Sequence, residues 1–134
     1  MNIHTRMSEE DLKWVSAERG IYIFWIGIYF YIGHSTNIRR RLRRHLSMMK
    51  NGKHYNRQIQ KAWDDDRNFQ FSILHYFDFE ASKELLFRWE QKFLDLFASH
   101  INCLNVSKVA DSIHYKIRKQ KKARKGIIDQ SDFI

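Results

Sequence analysis

Cysteine is nearly absent from this chain: Cys103 stands alone in 134 residues. One thiol cannot close an internal disulfide and cannot build a cysteine-rich zinc site. Long apolar runs are missing as well, since none reaches the roughly 18 residues that a membrane-spanning helix needs. The N-terminal stretch MNIHTRMSEEDLKW lacks the apolar centre of a signal peptide. No internal repeat or low-complexity linker breaks the chain. Acidic residues are in the minority, 15 against 24 Lys and Arg, for a net charge of +9. The expectation is a soluble, cytoplasmic protein of a reducing compartment, with no membrane partner.

Such a length holds one domain with one modest core, and 43% hydrophobic with 15% aromatic residues is enough to fill it. A basic surplus means either a polyanionic partner or a solubilising surface, and clustering decides between them. Here the charge clusters. Arg39, Arg40, Arg41, Arg43 and Arg44 crowd into about a turn and a half of helix, and residues 116–125 read KIRKQKKARK. A nucleic-acid partner is the reading that follows.

Periodicity gives the element order. Ser8-x-x-Asp11 starts a short leading helix over 8–17. Residues 20–33, GIYIFWIGIYFYIG, are β-branched and aromatic with Gly27 where a tight turn belongs. A loop centred between Ile26 and Gly27 sets Tyr22 opposite Tyr31. Tyr22, Phe24, Tyr29 and Tyr31 then share one face, and Ile21, Ile23, Phe30 and Ile32 the other. Ile38, Leu42, Leu46 and Met49 recur at helical spacing until Asn51-Gly52. A short helix over 55–65, a third strand from Phe69 and a long helix over 80–99 follow, the last with Leu86, Phe93, Leu94 and Phe97 as its apolar stripe. The fold class is α/β (α+β): a small three-stranded antiparallel sheet flanked by helices. Residues 1–19 are a lead-in, 20–106 the folded domain, and 107–134 a basic helical extension.

Some residues sit awkwardly in this scheme. Glu90 falls inside the apolar stripe of the long helix. A carboxylate buried without a partner costs several kcal/mol, so Glu90 is either a paired structural acid or a ligand whose charge a divalent cation compensates. Arg41 and His45, spaced i, i+4, flank the apolar stripe of their helix and point along its boundary with the sheet, whereas the other arginines fan outward. With phenols on the facing sheet they outline a phosphate site, because a guanidinium matches phosphate geometry and an imidazole relays a proton near neutral pH. Tyrosines sharing a face also each need a polar partner for the hydroxyl.

Taken in order, Gly20-Ile21-Tyr22, Tyr31-Ile32-Gly33, Arg41, His45, His54, Glu90 and Asn105 resemble the GIY-YIG endonuclease family over residues 20–106. The second string, Gly27-Ile28-Tyr29, lies too close to Tyr31 to serve as the family's first motif. The resemblance implies a compact nuclease fold and Mg²⁺-dependent hydrolysis of DNA phosphodiesters, with Mn²⁺ able to substitute. It also implies a role for each site residue. Glu90 would hold the metal, and Arg41 would stabilise charge on the phosphoryl oxygens. Tyr22, assisted by His45 or Tyr31, would activate the attacking water, and Asn105 would support the site by hydrogen bonding. His54 is either a site residue or a loop histidine bonded to backbone. His34 occupies a position where several members place Ser or Lys, so it is only a candidate substitute for that Lys. DNA contacts are expected from Arg39, Arg40, Arg43, Arg44, Lys53 and Asn56, and from Lys116, Arg118, Lys119, Lys121, Lys122, Arg124 and Lys125 of the extension. A homodimer is one way such a domain cuts both strands. The competing reading is a catalytically silent nucleic-acid-binding module on the same fold. A basic structural protein of a nucleoprotein particle would leave Glu90 unexplained.

Overall fold

The computed structural model describes residues 5–105, so the expected basic extension lies outside the described residues. Elements run in the order β1 (Met7–Ser8), a 3-10 helix (Glu9–Trp14), β2 (Arg19–Ile26), β3 (Tyr29–Ser35), α1 (Ile38–Lys50), α2 (Arg57–Asp65), β4 (Phe69–Phe77) and α3 (Lys83–Phe97). The strands form one antiparallel sheet of four, ordered β1-β4-β2-β3, rather than the expected three. The additional strand is β1, which pairs Met7 with Phe71 and Ser8 with Gln70. Two residues carry too little pattern to announce a strand. The leading α-helix expected over 8–17 is instead this strand followed by the 3-10 turn, whose start is tied by Ser8 N–H donating to Asp11 Oδ2 at 3.0 Å.

The β2–β3 hairpin turns on Gly27 and Ile28. Gly27 has φ +60°, and among the described residues no non-glycine has positive φ. A two-residue loop with only its first residue left-handed is a type II′ turn, which demands glycine there. It pairs Ile26 with Tyr29, hence Phe24 with Tyr31 and Tyr22 with Gly33. The expected pairing of Tyr22 with Tyr31 is therefore wrong. The turn is centred one residue later than expected, which moves every partner by two and so leaves each side chain on its expected face.

That alternation sorts the core into two layers. On one face Tyr22, Phe24 and Ile26 pack with Ile38, Leu42, Leu46 and Met49 of α1, Ile59 and Trp63 of α2, and Leu12 of the 3-10 helix. On the other, Ile21, Ile23, Phe30 and Ile32 pack with Leu94 and Ala98 at the end of α3. Each fully buried aliphatic or aromatic side chain contributes about 1.5–3 kcal/mol, and β2 supplies buried side chains to both layers. Helix starts are capped as their sequences suggest. Asn37 Oδ1 accepts from Arg40 N–H, Asn56 Oδ1 from Gln58 and Ile59 N–H, and Ser82 Oγ from Leu85 N–H.

The buried row of α3 is Leu86, Glu90 and Leu94, so the carboxylate lies in the middle of it. Phe97, expected in the stripe, is 44% exposed. The helix faces the sheet along an i, i+4 ridge, which rotates Phe97 outward.

Candidate active site

Tyr22 and Gly33 face each other across the hairpin, and the glycine is needed there. A Cβ at Gly33 would lie 2.4 Å from Tyr22 Oη and 2.5 Å from its Cζ. Tyr22 therefore lays its ring over the backbone of β3, where any larger residue would displace it. Its hydroxyl ends 2.8 Å from His45 Nε2. His45, wholly buried on α1, continues through Nδ1 to His54 Nε2 at 2.8 Å. His54 Nδ1 accepts from Asn56 N–H at 3.0 Å, and His54 N–H donates to Gln60 Oε1 at 3.0 Å. The chain Tyr22–His45–His54 thus runs from the sheet to the loop before α2.

Burial holds His45 well below the ordinary histidine range, helped by His54 and by the charges of Arg41 and Arg44. Burial likewise lowers His54 to about 4. Both rings are neutral near pH 7.

Arg41 is half-buried beside this chain. Burial opposes its charge, but Tyr22, Tyr55 and Tyr31 outweigh that effect and raise its pKa above the ordinary value, with a side-chain hydrogen bond to Tyr22 adding to the shift. Tyr31 packs on the same face, its ring 5.3 Å from Phe24 and 5.4 Å from His45. Tyr55 had no assigned role in the sequence reading. It is 65% exposed, with its ring 4.6 Å from that of His54. Only its position between His54 and Asn56 could have drawn attention to it, since a loop aromatic follows no period.

Glu90 lies on the opposite face. His34 pairs with Ile21 in β2 and so points away from Tyr22 toward α3. There His34 Nδ1 meets Glu90 Oε1 at 2.6 Å, with Glu90 2% exposed. The His34 ring stands edge-on to Phe87. Residues expected in one cluster are thus divided by β3, the edge strand of the sheet.

Asn105 secures that edge. Its Oδ1 accepts from Ile32 N–H at 3.0 Å and its Nδ2 donates to Ile32 C=O at 2.8 Å, in the manner of a neighbouring strand. Phe30 adds bonds to Asn102 C=O and from Leu104 N–H. Asn56, expected to reach DNA, is 6% exposed. Its Oδ1 caps α2 and its Nδ2 donates to Leu104 C=O at 3.0 Å, so it is a buried clasp between α2 and the C-terminal turn. Arg40, Arg43, Arg44 and Lys53 are exposed and Arg39 half-buried. Tyr29, from the second Gly-Ile-Tyr string, is 41% exposed at the start of β3, and the other two residues of that string are the hairpin turn.

Among the described residues no three His, Cys, Asp or Glu side chains converge on a common point. A hard cation that keeps most of its waters needs no such cage and takes one or two carboxylates, so the single buried carboxylate of Glu90 fits it.

Comparisons with known proteins agree with this layout. The family model described as the GIY-YIG catalytic domain matches residues 18–105. Two solved structures share the fold, each with a TM-score of 0.60. One is a mutant of the catalytic domain of intron endonuclease I-TevI, at 23% identity over 69% of this chain and 96% of that one. The other is the catalytic domain of homing endonuclease I-TevI, at 22% identity over 67% of this chain and 99% of that one. No curated protein matches. The ordered Tyr22, Tyr31, Arg41 and Glu90, the shared fold and the matched span agree: the chain belongs to the GIY-YIG family.

Proposed function

We propose that the protein is a metal-dependent endonuclease that hydrolyses phosphodiester bonds of DNA. The observation that carries this reading is the placement of a half-buried Arg41 against Tyr22 on one side of the edge strand, with the buried Glu90 on the other. The helices that supply these groups, α1 and α3, both pack against β3.

Each residue then has a task. Arg41 donates charge-assisted hydrogen bonds to the phosphoryl oxygens and stabilises the charge that grows on them in the transition state. Its partly desolvated position makes those bonds stronger than on an open surface. Tyr22 orients the attacking water and takes part in removing its proton, and Tyr31 packs the wall beside it. Glu90 would hold Mg²⁺, or Mn²⁺ in its place, and His34 orients that carboxylate by the 2.6 Å contact. When bound, the ion supplies positive charge against the scissile phosphate. Asn105 keeps β3 in place by closing its outer edge. Arg40, Arg43, Arg44 and Lys53 supply the non-specific grip, which carries affinity and little sequence information.

The test is cleavage of supercoiled plasmid with Mg²⁺ or with EDTA, by the wild type and by Glu90→Gln. Nicking that needs the cation and is lost in the folded variant supports the reading. Plasmid bound but uncut under all metal conditions would return the chain to a silent binding module.

A further inference from the structure

The histidine chain has a direction, and a backbone amide sets it. Asn56 N–H points at His54 Nδ1 at 3.0 Å. A nitrogen that accepts that bond carries no proton, so a neutral His54 carries its proton on Nε2. The reverse arrangement would place an N–H on His54 Nδ1 against the N–H of Asn56, two donors facing each other in a buried site. The amide cannot turn aside. Asn56 begins α2, its Oδ1 is occupied by Gln58 and Ile59 N–H and its Nδ2 by Leu104 C=O, while His54 N–H is tied to Gln60 Oε1.

The consequence propagates. His54 Nε2–H donates to His45 Nδ1. His45 Nδ1 is then an acceptor, and the neutral His45 ring carries its proton on Nε2, where it donates to Tyr22 Oη. With that donor directed at its oxygen, Tyr22 aims its own proton away from His45.

We infer that His54 is a positioning residue that holds His45 in the Nε2–H tautomer, so that His45 acts on Tyr22 as a donor and not as a proton acceptor. Its bearing on catalysis rests on the nuclease reading above. In this arrangement Tyr22, rather than His45, has a proton directed out of the histidine chain, and His45 supports negative charge on the phenol oxygen. His54 never touches substrate in this scheme. It acts through His45.

The test uses the full chain, labelled with ¹⁵N, at neutral pH. Two-bond couplings from the ring C–H protons report which imidazole nitrogen carries hydrogen, whether or not the protein cuts DNA. Wild type should show Nε2–H for both His45 and His54. In His54→Ala, His45 should populate Nδ1–H, and turnover should fall by about tenfold or more while duplex affinity in EDTA stays unchanged. His54→Gln, whose amide can donate to His45 Nδ1, should restore the Nε2–H tautomer and part of the turnover. An Nδ1–H signal for His45 in wild type would overturn the proposal, even if every Ala variant failed to fold. So would a His54→Ala protein with unchanged tautomer and unchanged turnover. A wild type with the expected tautomers and no nuclease activity would sink the nuclease reading and leave the tautomer assignment standing.

Discussion

Gly33→Ala puts the contact between the two halves of the family signature under direct strain. The new methyl would sit 2.5 Å from Tyr22 Cζ and 2.4 Å from Oη, whereas non-bonded carbons settle near 3.5–4.0 Å. The ring must retreat by about 1 Å, the difference between those separations. It has little room, because Phe24 lies nearly parallel beside it and Oη is held 2.8 Å from His45 Nε2. Overpacking of this kind costs about 1–3 kcal/mol, and breaking a buried hydrogen bond adds roughly 1–3 kcal/mol. In a strand interior without such a neighbour, alanine is better than glycine by roughly 0.5–1 kcal/mol. The sign of the effect therefore depends on Tyr22. Urea unfolding of wild type, Gly33→Ala, Tyr22→Leu and the double variant isolates that dependence. Gly33→Ala should cost about 2 kcal/mol or more alone and become favourable by roughly 0.5–1 kcal/mol in the Tyr22→Leu background, where the shorter side chain stops short of β3. Equal costs in both backgrounds would refute the steric account of Gly33.

Further outcomes follow from the same geometry. Arg41→Ala should lower turnover by about 100-fold or more with a modest change in binding, whereas Arg43→Ala should mainly weaken DNA binding and make the slope of log affinity against log salt shallower by about 0.9. Identical effects of the two would place Arg41 among the solvated arginines. Tyr22→Phe keeps the ring but removes the buried bond to His45 Nε2, so it should still fold, with stability lowered by roughly 1–3 kcal/mol and cleavage strongly reduced, while Tyr29→Phe, at a 41% exposed position, should leave cleavage near wild type. The reverse pattern would show that the wrong Gly-Ile-Tyr string had been assigned. Acid should destabilise the fold through His45 and His54. Both are depressed in the folded state, His54 to about 4, against about 6.5 unfolded. Their neutral form is favoured by folding, so this stability is intact above about pH 6.5 and is lost as pH falls from there toward 4. Melting temperatures across that window should decline, and a flat profile would contradict the assignment of two neutral rings.

Local periodicity by itself determined a good deal. The period-two alternation of residues 20–33 separated Tyr22, Phe24 and Tyr31 from Ile21, Ile23 and Ile32, and that division stands although the register was misplaced, because face depends on parity and register on turn type. Helical spacing likewise placed His45 at the boundary of its helix with the sheet and Glu90 inside an apolar stripe, and both are buried. Other features needed the tertiary structure because they depend on residues far apart in the chain. The two-residue β1 exists only by pairing with Phe71 and Gln70. Asn105 holds β3 through Ile32, and Asn56, which looked like a DNA contact, is enclosed by Leu104. His34 meets Glu90 only because α3 packs under the edge strand, and its partner is 56 residues away. The hydrogen-bonded order Asn56–His54–His45–Tyr22 is the extreme case. Residue types supplied groups able to donate and accept, but only the close approach of a loop, a helix and a strand decided which nitrogen bears the proton.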